Sequence, residues 1–221
     1  MNRNFIIVNN QQLELLPQKA IYWHETQTLI ISDIHLGKAT HFRKNGLPLP
    51  LESGIEDLRM LEALLIKYKP SRVLLLGDLF HSEWNQEWLL FGSLLKKYAD
   101  VSFELVRGNH DILKIHHYDN LNIRLHEHTF IESGIVFSHE KIKVDNNQFS
   151  ISGHIHPGYK LYGKGKQSLS LPCFYREQNT LIMPAFGKLT GLAHLPSTKH
   201  SEIFVISEDQ VHLIKSRTRL F

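Results

Sequence analysis

The 221-residue chain has a single cysteine, Cys173. One cysteine cannot close a disulfide within the chain, and nothing in this usage points to an oxidising compartment. Cys173 itself reads as a small core residue. Long hydrophobic runs are also missing. The N-terminal run Phe5-Ile6-Ile7-Val8 is shorter than the core of a signal peptide, and no stretch approaches the roughly 20 residues of a membrane span. The expectation is a cytoplasmic protein with no membrane association. No Walker-type phosphate loop occurs, which leaves ATP hydrolysis by that route without support. Repeats, low-complexity tracts and linkers are absent too, so residues 1–221 read as one domain. Strong charge of either sign is lacking: the net charge of +3 permits an anionic substrate but does not identify one.

What is present is an ordinary globular composition, 42% hydrophobic and 21% charged, with fifteen histidines. Phe5 to Val8, Leu13 to Leu16 and Ala20 to Trp23 read as short strands. Thr28-Leu29-Ile30-Ile31-Ser32 and Val73-Leu74-Leu75-Leu76 are continuous apolar runs, the pattern of strands buried on both faces. Residues 36–50, with Gly37, Gly46, Pro48 and Pro50, read as a loop made basic by Lys38, His41, Arg43 and Lys44. A helix is predicted from Glu52 to Tyr68, stopped by Pro70, and another from Trp84 to Tyr98 with Ser82 as N-cap. After the strand Val101 to Arg107 helical periodicity fades and short strands dominate. Candidates are 123–125, 134–138, 149–152, 168–175, 180–183, 203–206 and 211–214. The chain therefore reads as one α/β domain with two sheets.

Five stretches carry side chains that bind metal or move protons, each close to a strand end. They are Asp33-Ile34-His35, Gly77-Asp78, Gly108-Asn109-His110-Asp111, Ser138-His139 and Gly153-His154-Ile155-His156. Open α/β sheets place their chemistry at the carboxyl ends of strands. Asp33 and His35, like His154 and His156, have i, i+2 spacing, which points both side chains one way in an extended chain. Seven candidate ligands result: Asp33, His35, Asp78, Asn109, His139, His154 and His156. One ion rarely needs seven; two ions sharing a bridging carboxylate do. The mixture of carboxylate, amide and imidazole suits Mn, Fe, Zn or Co, with Mg also admissible, and the absence of thiolates argues against a structural zinc site. The charge of two divalent ions exceeds that of two carboxylates and a bridging hydroxide, which favours a phosphate ester. Such a pair lowers the pKa of bound water and so generates a nucleophile. His110, adjacent to Asn109 but not needed as a ligand, is the candidate general acid, and Asp111 is placed to fix its tautomer. A given tetrapeptide such as Gly-Asn-His-Asp arises by chance at roughly one in 10⁵ start positions.

The series D-x-H, G-D, G-N-H-D, H and G-H-x-H resembles the calcineurin-like metallophosphoesterases over residues 33–156. That resemblance implies a four-layer αββα sandwich with two mixed sheets flanked by helices, and a dinuclear centre. It assigns Asp33, His35, Asp78 and His156 to one metal and Asp78, Asn109, His139 and His154 to the other, with His110 as the catalytic histidine. Three further segments, 33–38, 77–82 and 183–191, are similar to the ligase-associated DNA-repair phosphoesterases of bacteria. These are compact enzymes encoded beside a DNA ligase, a helicase and a nuclease-like partner. The narrower resemblance implies cleavage of a phosphodiester, DNA among the candidates. A phosphomonoesterase, a pyrophosphohydrolase and a silent scaffold stay open as rivals.

Outside the ligand set, Lys38 and His81 are candidate substrate contacts. Arg107 reads as a solvent residue at a strand end, and His116, His117, His126 and His128 as surface histidines. Gly163-Lys164-Gly165-Lys166 reads as a hairpin turn, and the Pro184–Gly191 stretch as a loop that shapes the pocket.

Overall fold

The computed structural model describes residues 4–44, 46, 52–81, 86–165 and 167–214. The expectations placed on Pro48, Pro50, Ser82, Trp84 and Lys166 lie outside the described residues, as does the side chain of Lys44.

Two mixed sheets face each other. The first is seven-stranded, in the order β1 (Phe5–Val8), β2 (Gln11–Leu16), β3 (Ala20–Trp23), β4 (Thr28–Ile31), β5 (Arg72–Leu76), β6 (Ser102–Val106), β7 (Ile123–His126). Strands β1 to β4 form an antiparallel meander, whereas β4 to β7 are parallel. The parallel crossovers run through α2 (Glu52–Tyr68), α3 (Gln86–Lys97) and the short α4 (Ile115–Asp119), with α1 (Lys38–Lys44) preceding α2. The second sheet holds β8 (Thr129–Glu132), β9 (Ile135–Ser138), β10 (Phe149–Ser152), β11 (Pro157–Tyr162), β12 (Ser168–Glu177), β13 (Thr180–Ile182), β14 (Ala193–His194), β15 (Ser201–Ser207) and β16 (Gln210–Ile214). At its centre β9, β10 and β13 are parallel.

The buried runs do what their composition dictates. All four residues of β4 are buried, and so are Val73 to Leu76 of β5. One face of the first sheet packs Leu29, Ile31, Val73, Leu75 and Leu105 against Leu58, Leu61 and Leu65 of α2 and Phe91 and Leu95 of α3. The other face packs Ile30, Leu74, Leu76 and Val106 against Phe137, Ile151, Phe174 and Leu181 of the second sheet. Over the outer face of the second sheet lies a smaller cluster built on Cys173, Tyr175 and Val205. Its cover comes from loop and strand side chains such as Ile155, Tyr159 and Leu195. Cys173 is buried, and burial pushes its thiol up to about 12.

Several elements differ from the sequence reading. Residues 38–44 form a helix where Gly and Pro content predicts a loop. Gly37 turns the chain in the left-handed region (φ 84) and the His41 amide donates to the Gly37 carbonyl at 2.9 Å, which starts the helix. Strand β11 was hidden by its opening Pro-Gly, a pair that reads as a turn but is tolerated at a strand's first residues. Helix α4 is too short to show a period. Gly163 to Gly165 do lie in the β11–β12 hairpin connection, where the Gly163 amide donates to the Gln167 carbonyl at 2.9 Å. His126 is not a free surface histidine: its Nε2 lies 2.7 Å from buried Glu104, which also faces Arg72 at 3.8 Å. Arg72 reaches across to Glu132 of β8 at 2.5 Å, joining the two sheets at one edge.

The loop after β13 is pinned to the first sheet. The Phe186 amide donates to the Ser32 carbonyl at 2.8 Å and the Gly187 amide to the Asp33 carbonyl at 3.1 Å. Asp57 of α2 accepts from the Lys188 amide at 3.2 Å, and burial pushes this carboxyl from 3.8 to about 6 against the pull of that amide and of Lys19. The folded protein therefore holds this proton where the unfolded chain loses it. The contribution to stability is present below about pH 4 and is lost as pH rises through about 6. Comparing denaturant unfolding of wild type with Asp57→Asn checks this: the stability of wild type relative to the variant should fall by on the order of 2 kcal/mol between pH 4 and 7. A second expectation concerns the inter-sheet core. Phe137 is fully buried, with its ring 5.7 Å from Trp23 and 5.9 Å from Phe130. Phe137→Ala should cost about 3–5 kcal/mol in the same measurement.

Candidate metal centre

Three parallel strands of the first sheet and two of the second end at one place. Asp33 follows β4, Asp78 follows β5 and Asn109 follows β6; His139 follows β9, and His154 and His156 follow β10. The local backbone there is unusual. Asp33 (φ 54), His35 (φ 54), Asp78 (φ 49), His154 (φ 65) and His156 (φ 52) are all in the left-handed region. Such conformations cost of order 1–3 kcal/mol each and persist where surroundings over-determine them. The i, i+2 spacings thus do not act through an extended chain. Each loop instead curls back so that consecutive ligand-type residues face inward.

Loop-to-loop hydrogen bonds hold the curls. The His35 amide donates to the Asp78 carbonyl at 2.9 Å and the Leu36 amide to the Leu79 carbonyl at 2.9 Å. The Gly153 amide donates to the His139 carbonyl at 3.0 Å, and the His154 amide to Asp33 Oδ2 at 2.9 Å. The Ser32 hydroxyl lies against that same Asp33 oxygen. Glycine is required at Gly77 and Gly108. Gly77 turns at φ 75, and a Cβ there would collide with the His139 ring. A Cβ on Gly108 would strike the amide and carboxylate of Asp78. Gly108 therefore serves close approach, not the turn that its place before Asn109 suggests.

The inward side chains fall into two groups. Asp33, His35 and His156 offer ligand atoms within 4.8 Å of one another, and so do Asp78, His139 and His154. In the first group His156 Nε2 is 3.2 Å from Asp33 Oδ1. In the second, His139 Nε2 is 3.0 Å from Asn109 Oδ1 and 3.1 Å from His154 Nδ1. Asp78 stands between them: Oδ2 faces His35 Nε2 at 3.7 Å and Oδ1 faces His139 Nε2 at 3.4 Å. All seven sequence candidates are brought together.

The donor set fits divalent cations. Asp33 Oδ1, His35 Nε2 and His156 Nε2 are buried yet have no hydrogen-bond partner among the described residues, a costly arrangement unless something else satisfies them. His139 Nδ1 is 3.0 Å from the Leu76 carbonyl, so a neutral ring donates there and turns the Nε2 lone pair toward two oxygens and the His154 ring. Burial lowers the His139 pKa, but the bond to Asp78 and the charges of Asp33 and Asp78 outweigh it and raise it to about 9. Burial likewise raises Asp78, while His139 and the His110 amide hold it at about 2. His35 goes the other way, down to about 3, because burial outweighs both carboxylates. A cation in each group takes the place of such protons and answers the open lone pairs.

The neighbouring residues divide differently from expectation. The His110 amide donates to Asp78 Oδ1 at 2.9 Å, and its ring lies edge-on to His35 at 5.4 Å. Asp111 does not orient that ring. Its Oδ1 accepts from the Leu79 amide at 3.0 Å and the Phe80 amide at 3.4 Å, and its Oδ2 from the Gly108 amide at 2.9 Å. It is a buried tie between two ligand loops, and burial pushes its carboxyl up to about 6. Arg107 is not a solvent residue either: it donates to the carbonyls of Asp111 and Leu113 at 3.0 and 2.9 Å and pairs with Glu127. Both ties escape a sequence reading because their partners are backbone groups. Lys38 is half-buried at the start of α1, where burial lowers its pKa and the charges of Asp78 and Asp33 oppose the shift. His81 lies against His35 and His110, at 5.6 and 5.0 Å between ring centroids. Phe42, beside it, is a site neighbour that no motif announces.

Two mixed sheets flanked by helices, with a carboxylate shared between two His-rich groups at converging strand ends, define a dimetal phosphoesterase, a hydrolase of phosphoric esters. The family model for calcineurin-like phosphoesterases matches residues 26–172, and the chain belongs to that family. In structure the chain is similar to Pseudomonas putida nuclease MPE, with 25% identity and a TM-score of 0.80 over 95% of this chain and 98% of that one. It also matches YfcE, a phosphoesterase from E. coli, at 13% identity and a TM-score of 0.46, over 85% of this chain and 97% of that one. No curated protein matches the chain in sequence. No helix among the described residues is long and apolar enough to cross a membrane.

Elemental analysis after gentle loading with Mn should find two ions per chain, and Asp78→Ala should lower that to one or fewer. Loading should also raise the melting temperature of the wild type, with a stabilisation of about 4 kcal/mol where free metal exceeds its Kd about a thousandfold.

Proposed function

We propose that the chain hydrolyses phosphodiester bonds of a nucleic acid or nucleotide, with two divalent ions, manganese foremost, held by Asp33, His35, Asp78 and His156 and by Asp78, Asn109, His139 and His154. The single observation that carries the reading is the placement of Asp78 between the two ligand groups with His110 beside it. The likeness to a nuclease across nearly the whole of both chains supports the diester over other esters. When bound, the ions supply an activated water and positive charge for the phosphate.

The chain's own residues do the rest. The His110 backbone is fixed by the Asp78 carboxylate, which places its imidazole at the rim of the site. From there it donates a proton to the leaving oxygen as the P–O bond breaks, so that the departing group leaves as an alcohol. Lys38 adds a cation to the phosphate side of the site. The same reading places the chain in the cytoplasm, in DNA repair, alongside a DNA ligase, a helicase and a nuclease-like partner. The repair role and its partners follow from the resemblance of segments 33–38, 77–82 and 183–191, and the cytoplasm from the single cysteine and the short apolar runs of the sequence.

His110→Ala should lower kcat on a chromogenic phosphate bis-ester by about 10²–10⁴-fold while leaving the metal content unchanged. Turnover of mono-esters with no cleavage of bis-esters or DNA would sink the diester reading in favour of a phosphomonoesterase. Inactivity on every phosphate ester with every divalent metal would leave a scaffold.

A further inference from the structure

Three rings stand in line beside the candidate metal centre. His110 and His81 are stacked, with centroids 5.0 Å apart and planes 22° apart. His81 and Phe42 continue the stack at 5.9 Å and 20°. His41 meets the edge of His81 at 5.1 Å and 75°. The line begins at the residue assigned to the leaving group and ends on a half-exposed phenyl ring. A phosphate has no use for that ring, because the face of an aromatic ring is electron-rich and repels an anion. A flat, uncharged heterocycle does.

Helix α1 supplies the complementary half. Lys38 and Phe42 are four residues apart and so share one side of that helix. One helical face thus offers an ammonium for a phosphate and a ring for a base, the pairing by which proteins hold unpaired nucleotides.

We infer that Phe42, backed by His81, is a stacking platform for the nucleobase that flanks the scissile phosphate, so that the chain selects diesters carrying a base over those that do not. The inference rests on the phosphodiesterase reading above. Stacking on an aromatic side chain changes binding by about 10-fold or more for each base.

The test compares a short single-stranded thymidine oligonucleotide with a base-free deoxyribose phosphate oligomer of equal length, using the full-length protein loaded with Mn. Wild type should show a KM about 10-fold or more lower for the base-bearing strand. Phe42→Ala and Phe42→Leu should abolish that difference by raising KM for the thymidine strand alone, while Phe42→Trp keeps it. Metal content and melting temperature should hold across the series. Equal KM values for the two substrates in wild type, or a difference that survives in Phe42→Leu, would overturn the platform while leaving the diesterase reading intact. Cleavage of neither substrate by wild type would overturn that reading and the platform with it.

Discussion

The structure depends on one carboxylate being shared. Asp78 faces His35 with one oxygen and His139 with the other, and takes the His110 amide as well. Each contact comes from a different part of the chain: the β4 loop, the second sheet and the β6 loop. Moving Asp78 would separate the two ligand groups and release the His110 backbone at the same time. The glycines on either side of this arrangement, Gly77 and Gly108, exist because the chain must pass Asp78 and His139 without a side chain of its own.

Burying that carboxylate with Asp33 and the imidazoles of His35 and His139 is expensive unless charge is answered by charge. The loops absorb a second cost, because five ligand-type residues adopt left-handed backbone. Both costs fall at the ends of five strands whose interiors are packed with Ile, Leu, Val and Phe. The hydrophobic faces on either side of the first sheet thus hold in place a site that could not hold itself. Asp111 and Arg107 complete the support from the backbone side: Asp111 ties the Gly108–Leu113 segment to the loop after β5, and Arg107 holds that segment to the end of β6.

Much of this was legible in residue order. Apolar runs ending in Asp33 and Asp78 announced buried strands with polar ends, since nothing else in packing explains a carboxylate directly after such a run. The seven ligand candidates were legible for the same reason, and their pairing into two groups followed from the family resemblance. Less legible were roles decided by backbone partners. Asp111 looked like a partner for His110 because it is adjacent, yet its oxygens face three amides. Helix α1 was obscured by the Gly and Pro that surround it, and with it the place of Phe42.

By itself the sequence determined which chemistry the protein can carry: oxygen and imidazole ligands at strand ends, no thiolates and no phosphate loop. It determined the period of the strands and of α2 and α3, because burial imposes alternation or a helical repeat on local residues. Only the tertiary structure brought these ligands within reach of one another on either side of Asp78, and aligned His110, His81 and Phe42 in one stack. The physical reason is distance along the chain. His154 meets Asp33 across 121 residues and His110 meets Asp78 across 32. Nothing local in the sequence encodes such a meeting until two sheets have packed face to face.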